Sequence, residues 1–184
     1  MIFAGIDYSL SSPAVCTYDE AAGDFCFQNC NFFLLSDKKI PKTPKNIYIE
    51  SHKPWSDPNE RYHNIATFFL DNIKTDKILI EDYSMGSKGK VFHIAENTEV
   101  LQYNLWLKKI QYKKIPPTSL KKTVTGKGNA PKEVMYQQFL KEEKTDIFKL
   151  LGLKMPKTGK IDSPISDIVD SFFLCRYAFI NRDV

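Results

Sequence analysis

Met1-Ile2-Phe3-Ala4-Gly5-Ile6-Asp7-Tyr8-Ser9 opens the chain and is apolar until Asp7. A short apolar run of this kind reads as a buried β-strand, here with an acid near its end. Carboxylates are costly to bury unless something compensates them. The same arrangement returns at Lys77-Ile78-Leu79-Ile80-Glu81-Asp82, where the apolar run stops abruptly on two acids. Two buried strands ending in acids and lying side by side are the frame from which the rest of the chain is read.

Pro13 to Tyr18 and Phe25 to Leu35 follow the first strand, separated by Ala22-Gly23-Asp24. That pattern predicts an antiparallel hairpin and meander. Ser36 to Pro58 is rich in Lys and Pro and reads as loop, with a short extended piece at Ile47 to Glu50. Asp57-Pro58 starts a helix on which Tyr62, Ile65, Phe69 and Ile73 recur at helical spacing. A second helix is expected over His93 to Ile110, and a further short strand, Tyr112 to Ile115, is stopped by Pro116-Pro117. Ser119 to Val124 reads as a helical turn and Thr125-Gly126-Lys127-Gly128-Asn129 as a loop. Pro131 to Lys141 reads as a helix, and Glu142 to Gly159 is polar and weakly patterned. The last helix runs from about Pro164 to Ile180, with Ser163 as its N-cap. A meander continued by strand–helix units predicts an α/β fold: a mixed five-stranded sheet, antiparallel then parallel, flanked by helices.

The chain has 184 residues, enough for one well-buried domain and hardly two, so residues 1–184 are read as a single domain. Hydrophobic residues make up 42%, which rules out a disordered tail. No segment reaches the ~20 apolar residues of a membrane span. Cys16, Cys26, Cys30 and Cys175 lack the partners of a zinc site and read as small buried hydrophobes in a reducing, intracellular setting. The net charge is only +4, so the distribution of charge matters more than its sum. Val100 to Lys132 holds no Asp or Glu but carries Lys108, Lys109, Lys113, Lys114, Lys121, Lys122, Lys127 and Lys132. A one-signed run attracts polyanions, although charge alone does not separate a DNA-contacting face from a solvated one.

Asp7 and Glu81 are joined by Asp167 and Asp170, three apart and so on one face of the last helix. Converging carboxylates repel one another unless a divalent cation lies between them, and oxygen-only donors suit Mg²⁺ or Mn²⁺. Two such metals roughly 4 Å apart can activate water and stabilise the leaving oxygen in phosphodiester hydrolysis. Other readings stay open residue by residue. Asp7 could begin a turn, Asp82 could stand in for Glu81, and Asp167 and Asp170 could favour the dipole at a helix start.

Gly5-Ile6-Asp7 resembles the opening strand of the RuvC family of Holliday junction resolvases, and Ile80-Glu81 resembles their second acidic motif. Pro117-Thr118-Ser119-Leu120-Lys121-Lys122-Thr123-Val124-Thr125-Gly126-Lys127-Gly128-Asn129-Ala130-Pro131-Lys132 is similar to their basic segment, and Asp167-Ile168-Val169-Asp170-Ser171 to their C-terminal Asp-x-x-Asp-Ala helix. The resemblance spans nearly the whole chain in the family's order. It implies a ribonuclease H-like fold and a homodimeric DNA endonuclease acting on four-way junctions, with two Mg²⁺ (or Mn²⁺) per site. Asp7, Glu81, Asp167 and Asp170 would be the metal ligands, and Lys132 would stabilise the phosphate under attack. Lys121, with Lys122 and Lys127, would contact DNA, and Tyr83 or Phe92 would stack on junction bases. Tyr8-Ser9 replaces the family's Pro-Gly, and bulky Phe172-Phe173-Leu174 replaces its alanines, as in a divergent, viral branch. The implied setting is the cytoplasm of a bacterial or virus-infected bacterial cell. The rival readings are a ribonuclease H or less selective branched-DNA nuclease on the same fold, and a non-catalytic junction-binding protein.

Overall fold

The computed structural model describes residues 1–75, 77–82 and 91–182. Six strands form one mixed sheet: β1 (Ile2–Asp7), β2 (Ala14–Asp19), β3 (Cys30–Leu35), β4 (Ile47–Glu50), β5 (Lys77–Glu81) and β6 (Tyr112–Ile115). Their spatial order is β4-β3-β2-β1-β5-β6. β1, β2 and β3 pair antiparallel, while β4, β5 and β6 each join in parallel. The expected five strands are therefore six. The extended piece at Ile47–Glu50 finds a full partner in β3, pairing Phe32 to Leu35 with Ile47 to Glu50.

Among the described residues six α-helices cover the two faces: α1 (Pro58–Asn72), α2 (Val91–Leu107), α3 (Pro117–Thr125), α4 (Lys132–Glu143), α5 (Ile147–Leu151) and α6 (Ile165–Ile180). Asp57 caps α1, its carboxylate accepting from the Asn59 and Glu60 amides. α3 is a full helix rather than a single turn and ends on Gly126 at φ 78°, a left-handed position glycine adopts without strain. α5 was not legible as a helix because it is only five residues long, too short for periodicity to show. Ser163 does not cap α6; Pro164 holds that place, and the Ser163 hydroxyl serves another partner described below.

The sheet separates two cores. On one face Phe3, Cys16 and Leu79 pack against α6, α4, α3 and α5; on the other Ala4, Ile6, Ile78 and Ile80 pack against α1 and α2. Strand alternation sends Phe3, Gly5 and Asp7 of β1 toward the α6 side, together with Leu79 and Glu81 of β5. Cys16, Cys30 and Cys175 are free and buried in that core, whereas Cys26 is only half-buried. No helix among the described residues is long and apolar enough to cross a membrane.

α6 lies unusually close to β1. A Cβ on Gly5 would stand 2.1 Å from the Cys175 amide nitrogen and 2.6 Å from the Leu174 carbonyl carbon. Only a residue without a side chain permits this approach. Replacing Gly5 by Ala must push α6 off the sheet, and overpacking of this severity costs about 3 kcal/mol or more. The Gly5→Ala protein is expected to melt about 10 °C below the native chain in a thermal scan, given the usual scaling for a domain of this size. A melting point within a degree or two of native would show that α6 has slack at this contact.

Candidate active site

The close packing at Gly5 sets where the acids fall. Leu174 meets Gly5, and Asp170 lies four residues earlier on α6, about 6 Å back along the helix axis. Asp7 lies two residues beyond Gly5, about 6.6 Å along the strand. The two displacements match, so Asp170 arrives beside Asp7. β1 and β5 pair in parallel with Ile6 opposite Ile80, which places Glu81 next to Asp7 on the same face. Asp167 follows one turn beyond Asp170 toward the start of α6.

The electrostatics record this convergence. Burial holds Asp7 well above the ordinary carboxylate range, and Glu81, Asp167 and Asp170 add to the rise against the pull of Lys132. Burial, then the Asp170 carboxylate, pushes Glu81 up to about 8, with Lys121 and Lys132 opposing. Burial raises Asp170 to about 6, with Lys132 and Lys121 opposing and Asp167 adding. Asp82 pairs with Lys114 at 3.4 Å, and it is Glu81 that acts on Asp7 and is acted on by Asp170. Glu81, rather than Asp82, is thus the β5 carboxylate that faces the others.

Asp167 is held by hydroxyls. Ser12 donates to Oδ2 at 2.6 Å, and Ser163 and Ser166 each donate to Oδ1 at 3.0 Å. Lys132, the first residue of α4, donates from Nζ to the Ser166 hydroxyl at 3.0 Å. A chain of hydrogen bonds therefore runs from the lysine to the carboxylate. Sequence reasoning missed these serines. Ser163 sits four residues before Asp167, a spacing that could have been noticed, but Ser12 lies 155 residues away and left no local signal.

Lys121 is half-buried on α3 and lies within electrostatic reach of Glu81 and Asp170. Lys122 and Lys127 are exposed on the same segment. Phe92 is 79% exposed at the start of α2, and Tyr83 lies outside the described residues. A cleft of about 630 Å³ opens on the other flank of the acids, lined by Asp7, Glu81, Trp55, Arg61, Tyr62 and His93 among others.

The donors fit a hard dication in their chemistry. They are carboxylate oxygens; burial first and then neighbouring carboxylates raise the proton affinity of Asp7, Glu81 and Asp170, and a cation would relieve the repulsion among them. Among the described residues, however, no three acids close on one point as a finished metal cage.

No family model and no curated protein sequence matches the chain. Solved structures do. RuvC of Thermus thermophilus superimposes with a TM-score of 0.56 at 16% identity, over 98% of this chain and 96% of that one. T. thermophilus RuvC in complex with Holliday junction substrate gives 0.56 and 16% over 100% and 96%. The yeast mitochondrial Holliday junction resolvase gives 0.52 and 12% over 94% and 75%. At such identities the likeness speaks for the fold: this chain has the ribonuclease H-like fold of the RuvC-type resolvases.

Proposed function

We propose that the chain is a homodimeric, divalent-metal-dependent DNA endonuclease that resolves four-way junctions by phosphodiester hydrolysis. What supports this reading is that Asp7 lies within electrostatic reach of Glu81, Asp167 and Asp170, with Lys132 opposing, and that Lys121 and Lys132 act likewise on Glu81 and Asp170. Mg²⁺ or Mn²⁺ held by these carboxylates would supply the charge that makes water a competent nucleophile and the leaving oxygen a stable one.

The residues then divide the work. Glu81 accepts a hydrogen bond from the attacking water and keeps it in line with the phosphorus. The products carry 5′-phosphate and 3′-hydroxyl ends. Asp167, clamped by Ser12, Ser163 and Ser166, keeps its orientation through those donors. Lys132 is tethered through Ser166 at the edge of the acids, so its ammonium is poised for a phosphate oxygen as charge develops there. Lys121, Lys122 and Lys127 grip the backbones of the arms, and Phe92 is exposed for stacking on bases near the crossover. Tyr103, Trp106 and Leu107 are exposed on α2, which supports pairing of two copies through that helix.

Asp7→Asn keeps the size of the side chain and removes the charge a hard cation needs. Cleavage of a four-way junction should be abolished while gel-shift binding persists; near-normal cutting in Mg²⁺ would remove Asp7 from the metal site. A readout independent of activity follows from the raised carboxylates. Groups whose folded pKa exceeds the unfolded value cost stability once pH rises through the folded value, here about 6 for Asp170 and about 8 for Glu81. Mg²⁺ should therefore raise the melting temperature more at pH 8 than at pH 5.5, and Asp7→Asn should lose most of that gain. Equal gains at both pH values would separate the cation from these acids.

Lys132→Ala should slow single-turnover cleavage roughly a hundredfold, the order seen when one preorganised donor is removed. Junction affinity should change far less, because the other lysines still hold the backbones. Equal modest decreases in both would reduce Lys132 to a phosphate-binding group. Neutralising Lys121 and Lys122 together should lower the slope of log affinity against log salt by roughly 2, one counterion for each phosphate no longer neutralised. An unchanged slope would make both lysines part of a solvated face.

A further inference from the structure

The cleft beside the acids has walls that the hydrolytic chemistry does not use. Trp55 is 43% exposed in the loop before α1, and the Arg61 guanidinium lies over its ring at 4.5 Å from the centroid. The His52 ring meets Trp55 edge-on at 6.0 Å. This loop is fastened to the segment that follows β1. His52 Nε2 lies 3.1 Å from the Ser11 carbonyl oxygen, and Arg61 donates to the Leu10 carbonyl at 2.7 Å. The Trp55 wall is thereby held in place next to Asp7, and Asp7 and Glu81 form the cleft's inner end.

The lining selects the class of ligand. At about 630 Å³ the cleft is within the range of small-molecule sites and has ample room for a base. An anionic occupant is disfavoured, since Asp7, Asp57, Glu81 and Asp82 all line the space against one guanidinium already engaged with Trp55 and Leu10. The start of α1 offers no phosphate site either, because Asp57 takes up the Asn59 and Glu60 amides. Ser9, Ser11, Ser56, His93 and Thr98 also line the space, so a ligand with polar edges is favoured over a purely apolar one. A flat, neutral group with polar edges, tethered to a phosphate lying at the acids, is a nucleobase.

We propose that this cleft receives an unpaired nucleobase of the DNA strand whose phosphate lies at Asp7 and Glu81, with Trp55 as the stacking platform. The inference rests on the DNA-nuclease reading and adds a site to it. A base drawn out of the stack costs least where pairing is already broken, so the pocket favours strands at a branch over continuous duplex. It would also anchor the strand next to the cut and set which phosphate reaches the acids.

The chain has two tryptophans, so Trp106→Phe, once shown by gel shift to bind the junction as the native chain does, leaves Trp55 as the only indole emitter. That protein is titrated, without divalent metal, with a four-way junction and with the same junction carrying an abasic site beside the cut, whose position is mapped from native products in Mg²⁺. Separately, the single-turnover cleavage rates of Trp55→Ala and Trp55→Phe are compared with the native chain. The intact junction should quench Trp55 emission and the abasic junction should not. Trp55→Ala should cut about tenfold more slowly, the order expected when one base–aromatic stack is removed, and Trp55→Phe within about threefold of native. If the native chain binds and cuts the junction while Trp55 emission is indifferent to it and Trp55→Ala cuts at the native rate, the base pocket is overturned and the nuclease reading stands. If the native chain neither binds nor cuts the junction, the nuclease reading is overturned and the pocket with it.

Discussion

The contact between Gly5 and the backbone of α6 at Leu174 and Cys175 is the constraint on which the rest depends. It brings a helix within backbone distance of the central strand, closer than side chains normally allow. Because strand and helix then advance by nearly equal lengths, the acid two residues along β1 meets the acid four residues back along α6. The parallel pairing of β5 with β1 adds Glu81 to the same face. The bulky Phe172, Phe173 and Leu174 that follow the acids do not oppose this approach. They are fully buried, and Phe172 packs against Phe25, Phe27, Phe32 and Phe139. The aromatic core carries the helix, and the single glycine lets it settle.

Bringing carboxylates together in a buried place is unfavourable in itself, and the structure compensates in two ways. Lys121 and Lys132 pull against the raised proton affinities of Glu81 and Asp170. Three serine hydroxyls satisfy Asp167 by hydrogen bonds. The two devices meet at Ser166, which receives Lys132 and donates to Asp167. What remains uncompensated is concentrated on Asp7 and Glu81, the two acids that also face the cleft. In the proposed function that remaining repulsion is what a divalent cation relieves.

Much of this was legible in the residues. Asp7 and Glu81 announced themselves as acids ending apolar runs, and the spacing of Asp167 and Asp170 placed them on one helical face. Asp57-Pro58 marked the start of α1 to the residue. The failures have physical causes. Ile47–Glu50 reads as extended in the sequence but does not count there as a strand, because only its pairing with β3 makes it a strand of the sheet. Ser163 looked like a helix cap because caps and carboxylate partners use the same hydroxyl; the fold gave it Asp167 instead. Ser12 arrives by the tertiary approach of a loop, and the Trp55–Arg61 wall by a loop folding back on the start of α1; neither leaves a periodic trace in a sequence.

The proposed hydrolysis of DNA at branch points by these acids is tested by its products. A four-way junction with each strand labelled in turn is incubated with the native chain and Mg²⁺, and the products are mapped on a sequencing gel and offered to DNA ligase. The account predicts paired cuts in opposing strands, leaving 5′-phosphate and 3′-hydroxyl ends that ligase seals, with linear duplex of the same sequence left uncut. A junction that is bound but stays intact in Mg²⁺ and in Mn²⁺ would contradict it.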